Sequence, residues 1–424
     1  MRVLYCADNL DVLRKHIRDE SVDLIYLDPP FNSQRHYHLR VRVQSGDSAK
    51  PPVLAFTDIW KWIDEAYDQF MDECSNERLR RLMVALVEHL GRGSTCAYLL
   101  FMAPRLVELH RVLKRTGSIY LHCDPTASHY LKVIMDAIFG ERYFRNEIVW
   151  RRTNAHSGVK RWASIHDILL FYTKGNTYTW NTVYMQYKPG YVDKAYRYAD
   201  ERGRYQLRTL TQPAITPGNG CQAWNGIDPT RDGRKWVIPR LTAKMVFAEH
   251  GSANMTIQEK LDALEQAGFI VWRKGTKWPR IKLYLDTNRG VCIQDIIDDI
   301  PRIASSDKER IGYPTQKPPA LLERIVQASS NEGDVVLDPF CGCGTTVVAA
   351  EKLGRNWIGI DNSHVAISLT MSRLSDMLGL VAGKDYEVVG DMPLMTNSQN
   401  TQVAAVGVCE DGVSGQLTLP LQGR

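Results

Sequence analysis

Asp28-Pro29-Pro30-Phe31 follows an apolar run from Val22 to Leu27, and this order of residue types suits one chemical task. A strand there fixes where Asp28 points. The two prolines lock φ near −65° and remove backbone donors. The Asp28 carboxylate and the Pro29 carbonyl then offer acceptors to one object, and Phe31 adds a flat apolar face beside them. The exocyclic amine of a nucleobase fits that set, since its N–H groups donate and its ring stacks on an aromatic side chain for roughly 1–3 kcal/mol per base. Standing alone, such a tetrapeptide is more often a strand-ending turn.

A second motif shifts that balance. Residues 335–346 read VVLDPFCGCGTT: an apolar strand ending at Asp338, then Gly342 and Gly344 opening a helical pattern, then a strand WIGI that ends at Asp361. Glycines let backbone approach a ligand closely, and an acidic side chain about 20 residues on can accept from ribose hydroxyls. This is a nucleotide-cofactor unit. A Walker-type phosphate loop is excluded, because no Gly-Lys-[Ser/Thr] follows Gly344. His122-Cys123-Asp124 lacks a partner pair at ligand spacing, so no metal is expected.

The elements that must position these residues alternate. RVLYC (2–6) reads as a strand ending near Asp8, with a helix from about Asp11 to Asp19 before the strand that leads to Asp28. Asp8 could reach the cofactor base or simply cap the next helix. The segment Asn32 to Asp58 shows little periodicity and reads as a mobile loop, with His36, Tyr37 and Arg40 as candidates for closing over substrate or as plain surface residues. Helical patterns from Trp60 to Leu90 and from Tyr98 to Leu113 lead to the strand SIYLHC, and the α/β alternation continues through HDILLFYTK (166–174).

Beyond residue 175 the pattern breaks into short runs with prolines and glycines, and it returns at 313–334. Between residues 151 and 310 there are 26 Lys and Arg against 16 Asp and Glu, an excess of ten positive charges in a chain whose total is +5. Interleaved aromatics (Trp150, Trp162, Tyr184, Tyr191, Trp224 and Trp236 among them) suit either a nucleic-acid surface or an aromatic core with a basic rim. Four segments follow: 1–174, an inserted basic domain 175–311, 312–391, and a flexible, charge-poor tail 392–424. With 424 residues, 44% hydrophobic and 24% charged, the chain can bury a sizeable core. Nine scattered cysteines fit a reduced compartment rather than a disulfide framework. Without a signal peptide or a long apolar run, the expected location is the cytoplasm, with no membrane contact.

With these motifs in place, the chain resembles the amino-group DNA methyltransferases of the permuted (beta) class, in which the catalytic motif precedes the recognition domain and the cofactor motif comes last. The family's D-P-P-[FY] matches Asp28 to Phe31, its D-P-F-x-G-x-G-T-T matches Asp338 to Thr346, and its [HY]-P-T-Q-K-P matches Tyr313 to Pro318. The likeness covers roughly residues 3–174 and 311–362, and the tract from Arg105 to Gly140 resembles the adenine-specific members.

The resemblance implies a Rossmann-like α/β fold with a mostly parallel sheet, S-adenosylmethionine as cofactor, double-stranded DNA as partner, and adenine N6 as the methylated atom. Asp28, Pro29, Pro30 and Phe31 would be catalytic. Phe340, Gly342, Gly344 and Thr345 would line the cofactor pocket, with Asp361 on the ribose and Asp338 near the methionyl ammonium. Asp8 would lie near the cofactor adenine, and Thr315 and Lys317 at the methionine end. Phe31 stands where Tyr is more frequent, and Cys343 replaces the usual Ser. Cytosine N4 methylation is the alternative, although Asp28 in place of Ser favours adenine; a DNA-binding subunit of a restriction or defence assembly is a second. A homodimer and a restriction partner are left open.

Overall fold

The computed structural model describes residues 1–42, 53–154, 160–214, 218, 220–247, 255–285, 290–304, 306–390 and 404–411. It divides into two compact units, Met1–Val183 with Gln294–Arg424, and Tyr184–Ile293.

In the first unit the apolar runs become strands: β1 (Arg2–Cys6), β2 (Val22–Leu27), β3 (Arg35–Arg42), β4 (Val53–Asp58), β5 (Leu113–Cys123), β6 (Phe144–Arg151), β7 (His166–Thr173), β8 (Ile296–Ile297), β9 (Val335–Asp338), β10 (Asn356–Asp361), β11 (Glu387–Gly390) and β12 (Ala404–Asp411). The helices are α1 (Asn9–His16), α2 (Asp64–Glu73), α3 (Glu77–Leu90), α4 (Ser94–Val112), α5 (Pro125–Phe139), α6 (Pro319–Ser329), α7 (Thr345–Lys352) and α8 (His364–Leu378).

Nine strands form one sheet in the order β8-β6-β7-β5-β2-β9-β10-β1-β11. Every neighbouring pair is parallel except the two made by β7. Both ends of the chain therefore enter one sheet, with β9 and β10 seated between β1 and β2. From the β2–β9 junction the chain moves to one side from β2 to β5 and to the other from β9 to β10, and such a switch point opens a crevice at the carboxyl ends of the strands.

Alternation along the strands serves the two faces. Val3, Ile25, Leu27, Ile119 and Leu121 pack with α1, α4 and α5 on one side. Leu4, Leu24, Tyr26, Tyr120 and Phe171 pack with α6, α7 and α8 on the other.

The segment expected to be a loop from Asn32 to Asp58 is instead two antiparallel strands, β3 and β4. Residues 43–52 between them lie outside the described residues, as does the side chain of Arg40. β12 pairs antiparallel with β3, so AAVGVCED (404–411) departs from the expectation of a flexible tail. The low charge that suggested flexibility there is the composition of a strand with alternating valines.

The second unit is narrower than the 175–311 expected from composition, because residues 294–311 contribute β8 to the first unit. It holds an antiparallel four-stranded sheet (Tyr198–Asp200, Gly203–Thr209, Ile270–Val271, Arg280–Tyr284) and the helices Arg240–Phe247 and Ile257–Gln266. Thr256 and Glu259 close a capping box on the latter. Trp224, Trp236, Leu261, Leu264 and Ile281 form its core. Several aromatics of the basic segment are thus core residues, whereas Tyr184, Tyr191 and Trp272 remain exposed. Among the described residues no helix is long and apolar enough to cross a membrane.

Candidate active site

The carboxyl ends of β1, β2, β9 and β10 deliver Asp8, Asp28, Asp338 and Asp361 to one edge, where they line a cavity of about 680 Å³. That volume lies within the range of small-molecule sites. Pro29, Pro30, Phe31, Thr315, Lys317, Phe340, Gly342 and Thr345 line the same cavity. Of the catalytic and cofactor residues singled out in the sequence, Gly344 alone does not reach the wall; of the loop candidates, Tyr37 lines the cavity and His36 does not.

At the end of β2 the two oxygens of Asp28 differ. Oδ2 accepts from the Lys317 ammonium. Oδ1 is buried with no hydrogen-bond partner among the described residues and lies 3.8 Å from His122 Nδ1. Lys317 Nζ also donates to the Thr315 carbonyl at 3.3 Å and stands 5.5 Å from the centre of the Phe31 ring. Lys317 thus occupies the corner between carboxylate and ring. Thr315 is held at φ 61°, a conformation that is an outlier for a β-branched residue.

Asp58, at the end of β4, holds the backbone after the two prolines. Its carboxylate accepts from the N–H groups of Phe31, Asn32 and Ser33 at 3.1, 2.7 and 2.7 Å and from the Trp60 indole at 3.0 Å. Nothing in the sequence marked Asp58, because its partners are backbone amides some 25 residues away. Tyr37 stacks on Phe56 at 4.6 Å, and both rings line the cavity.

The glycine loop has a backbone that needs glycine. Gly342 (φ 52°) and Gly344 (φ 75°) are left-handed. A Cβ on Gly342 would come 3.2 Å from the Tyr313 ring, and one on Gly344 would run into the Thr370 side chain. Gly344 is the N-cap of α7, and the first two residues of that helix, Thr345 and Thr346, line the cavity.

Asp361 accepts from Gly342 N and Ser363 N, each at 2.9 Å, yet burial still pushes its carboxyl up to about 6. Burial pushes Asp338 up to about 7, against the hydrogen bond from Thr346. Burial also pushes the Cys341 and Cys343 thiols above their ordinary value, and both line the cavity as wall residues.

Asp8 does cap α1, accepting from Leu10 N at 2.8 Å, and its other oxygen pairs with Arg105 at 2.7 Å. Arg105 is 7% exposed, and burial pulls its guanidinium down to about 10, with Asp8 opposing. It donates to Asn9 at 2.6 Å, and Asn9 donates to the Pro339 carbonyl at 2.7 Å. One chain of contacts thus ties the Asp8 end of the sheet to the Asp338 turn. Arg105 lies inside the helical pattern from Tyr98 to Leu113 and Asn9 just ahead of the one from about Asp11, and neither carried a separate signal.

The buried donor set suits a nucleoside joined to a cationic amino-acid tail. Asp338 and Asp361 sit desolvated where a cation and hydroxyls would hold them ionised, and the glycine loop leaves room for close approach. No group of three or more metal-binding side chains exists among the described residues.

A doubly wound, mostly parallel sheet with this loop and these acidic strand tips defines a Rossmann-like methyltransferase fold. Comparison with known proteins narrows the class: the DNA methylase family, covering N6 and N4 amino methylases, matches residues 22–372, and the chain belongs to it. The type II methyltransferase M.EcaI of Enterobacter cloacae is 29% identical over 384 residues, 90% of this chain and 71% of that protein. The type III restriction-modification enzyme StyLTI Mod subunit of Salmonella typhimurium is 27% identical over 366 residues, which is 82% of this chain but 49% of that subunit. Among solved structures, the cytosine-N4-specific PvuII DNA methyltransferase aligns over 89% of this chain and 87% of its own, at 11% identity and a TM-score of 0.43.

Proposed function

We propose that this chain methylates adenine N6 in double-stranded DNA, using S-adenosylmethionine. One observation carries the reading: the Asp28-to-Phe31 corner and the glycine loop with Asp338 and Asp361 line a single cavity. Asp at position 28, where cytosine enzymes of the family more usually have Ser, supports adenine.

In this reading the target base leaves the duplex and stacks on Phe31. The outer oxygen of Asp28, Oδ2, and the Pro29 carbonyl accept from the two amine N–H groups, which turns the nitrogen lone pair out of ring conjugation. S-Adenosylmethionine supplies a methyl group on a sulfonium, an electrophile that needs no covalent enzyme intermediate. Asp338 pairs with the methionyl ammonium, Asp361 accepts from the ribose, and Phe340 and Thr345 complete the pocket wall. Lys317 moves its ammonium from Asp28 to the methionyl carboxylate, and the outer oxygen is then free for the amine. Asp28 takes up the proton that the methylated nitrogen must lose. These contributions are positioning and electrostatics.

Tyr184–Ile293, with 18 Lys and Arg against 10 Asp and Glu, is the part we assign to reading DNA. Association with a restriction nuclease is a further element of the proposal, supported by the names of the type II and type III relatives.

The test is expression in a methylation-free bacterial host with modified bases read across the genome. N6-methyladenine in one short motif, absent with Asp28→Ala, is the expected result. N4-methylcytosine would overturn the choice of base, and an unmodified genome with both proteins would overturn the reading as a DNA methyltransferase.

A further inference from the structure

The cavity at the strand tips is acidic. Among the described residues its wall holds five aspartates and one lysine, Lys317, with no arginine. Lys317 is 8% exposed, and its ammonium has three neighbours. It pairs with Asp28 Oδ2, donates to the Thr315 carbonyl at 3.3 Å and stands over the Phe31 ring, 5.5 Å from its centre. Asp28 and Phe31 are the two groups on which the target base depends in the reading above. One ammonium covers both.

A buried ammonium is costly without a counter-ion, so Lys317 leaves Asp28 only for another anion. The amine of a base is a poor rival, since it brings a dipole where the ammonium brings a full charge. The carboxylate of an amino-acid tail is a fair rival to Asp28, because it is the same functional group with the same charge. No other lysine or arginine of the described wall can meet that carboxylate. Two anions thus compete for one cation, and the outcome decides whether Asp28 Oδ2 has room for the amine.

We propose that Lys317 is a latch on the base site: it is shared between Asp28 and the methionyl carboxylate, and the corner of Asp28 and Phe31 admits a base only when the cofactor tail holds the ammonium. The latch rests on the reading of Asp28 given above and adds an order of binding to it, cofactor before base. S-Adenosylhomocysteine carries the same tail and opens the site without chemistry. Methylthioadenosine, which lacks the tail's carboxylate and ammonium, leaves it shut.

Two measurements on the full chain test this. The first is calorimetric and needs no DNA. In Asp28→Asn the ammonium no longer has to leave a carboxylate, so S-adenosylhomocysteine is expected to bind about tenfold or more tightly than to wild type. Made in a Lys317→Met background, the same change is expected to alter affinity by no more than about twofold, and methylthioadenosine is expected to bind wild type and Asp28→Asn alike. The second places 2-aminopurine at the target adenine of the methylated motif in duplex DNA. With wild-type protein its fluorescence is expected to rise severalfold with S-adenosylhomocysteine, and to stay low with methylthioadenosine or with no ligand. In Lys317→Met it is expected to be high with no ligand. The wild-type arm decides even where a variant fails to fold.

An unchanged or weaker affinity in Asp28→Asn overturns the latch. A gain of equal size in the Lys317→Met background does so as well, since Asp28 then merely repels the tail. Wild-type fluorescence that is high without ligand, or that methylthioadenosine raises as far as S-adenosylhomocysteine, also overturns it. A tightened, Lys317-dependent affinity with no fluorescence rise under any ligand, or with no DNA methylated at all, upholds the competition for Lys317 and sinks the reading of Asp28 as the base acceptor instead.

Discussion

Burial of Asp338 and Asp361 sets the electrostatics of the cofactor side. With Asp338 at about 7 against an ordinary 3.8, the folded chain binds a proton between about pH 4 and 7 that the unfolded chain does not. Stability from this group is therefore present at low pH and is lost as pH rises through 7. Asp338→Asn is expected to raise the melting temperature of the ligand-free protein at pH 8, a gain that shrinks toward pH 5.5, while weakening S-adenosylmethionine binding at least about tenfold, the cost of one lost charge pair. In the wild type, cofactor affinity is expected to fall as pH drops below 7, because a protonated Asp338 cannot pair with an ammonium. Calorimetric titration across pH 6–8 checks this. Asp28 and Asp338 were legible in the sequence because each ends an apolar run and is followed by proline, and Asp361 because it ends the next strand about 20 residues beyond. The 3.3 Å contact of His122 with Asp167 behind Asp28 was not, since what joins the two is the antiparallel register of β5 and β7 across 45 residues of chain.

At the scale of elements, the paired strands β3 and β4 and the helix α7 each fix a loop that lines the cavity. Asp58 gathers three successive amides after the second proline, so the direction of Phe31 depends on a side chain from another strand. Asp58→Ala is expected to cost about 2–4 kcal/mol in urea unfolding, from charge-assisted hydrogen bonds left unmade, and to slow methylation more than it weakens cofactor binding. Gly344→Ala is expected to lower stability by at least about 1 kcal/mol from the left-handed backbone alone, with a further loss from the clash with Thr370. Most strands of the sheet were readable from apolar runs, β8 and β11 excepted, and α1, α4, α5, α6 and α7 from their helical period. β3 and β4 escaped because polar, irregular residues such as those of RHYHLR pair into strands through partners that only the folded chain supplies.

On the scale of the whole molecule, the permuted order lets the two ends of the chain build one sheet, while the basic residues of the middle fall largely within a unit with its own aromatic core. Charge counts found that unit but misjudged its limits, since β8 is only two residues of contact with β6 and leaves no periodic signal. If DNA is held by those cations, affinity for duplex DNA is expected to drop at least about tenfold between roughly 50 and 200 mM salt, whereas cofactor affinity stays nearly level. Fluorescence anisotropy with labelled duplex measures the former and calorimetry the latter. The most direct test of the central claim is to incubate the purified protein with methyl-labelled S-adenosylmethionine and duplex DNA, digest the DNA to nucleosides and weigh the products. Labelled N6-methyldeoxyadenosine from the wild type, and none from Asp28→Ala that still binds the cofactor, is the predicted result. Unlabelled DNA from a wild-type protein that binds both ligands would contradict the account.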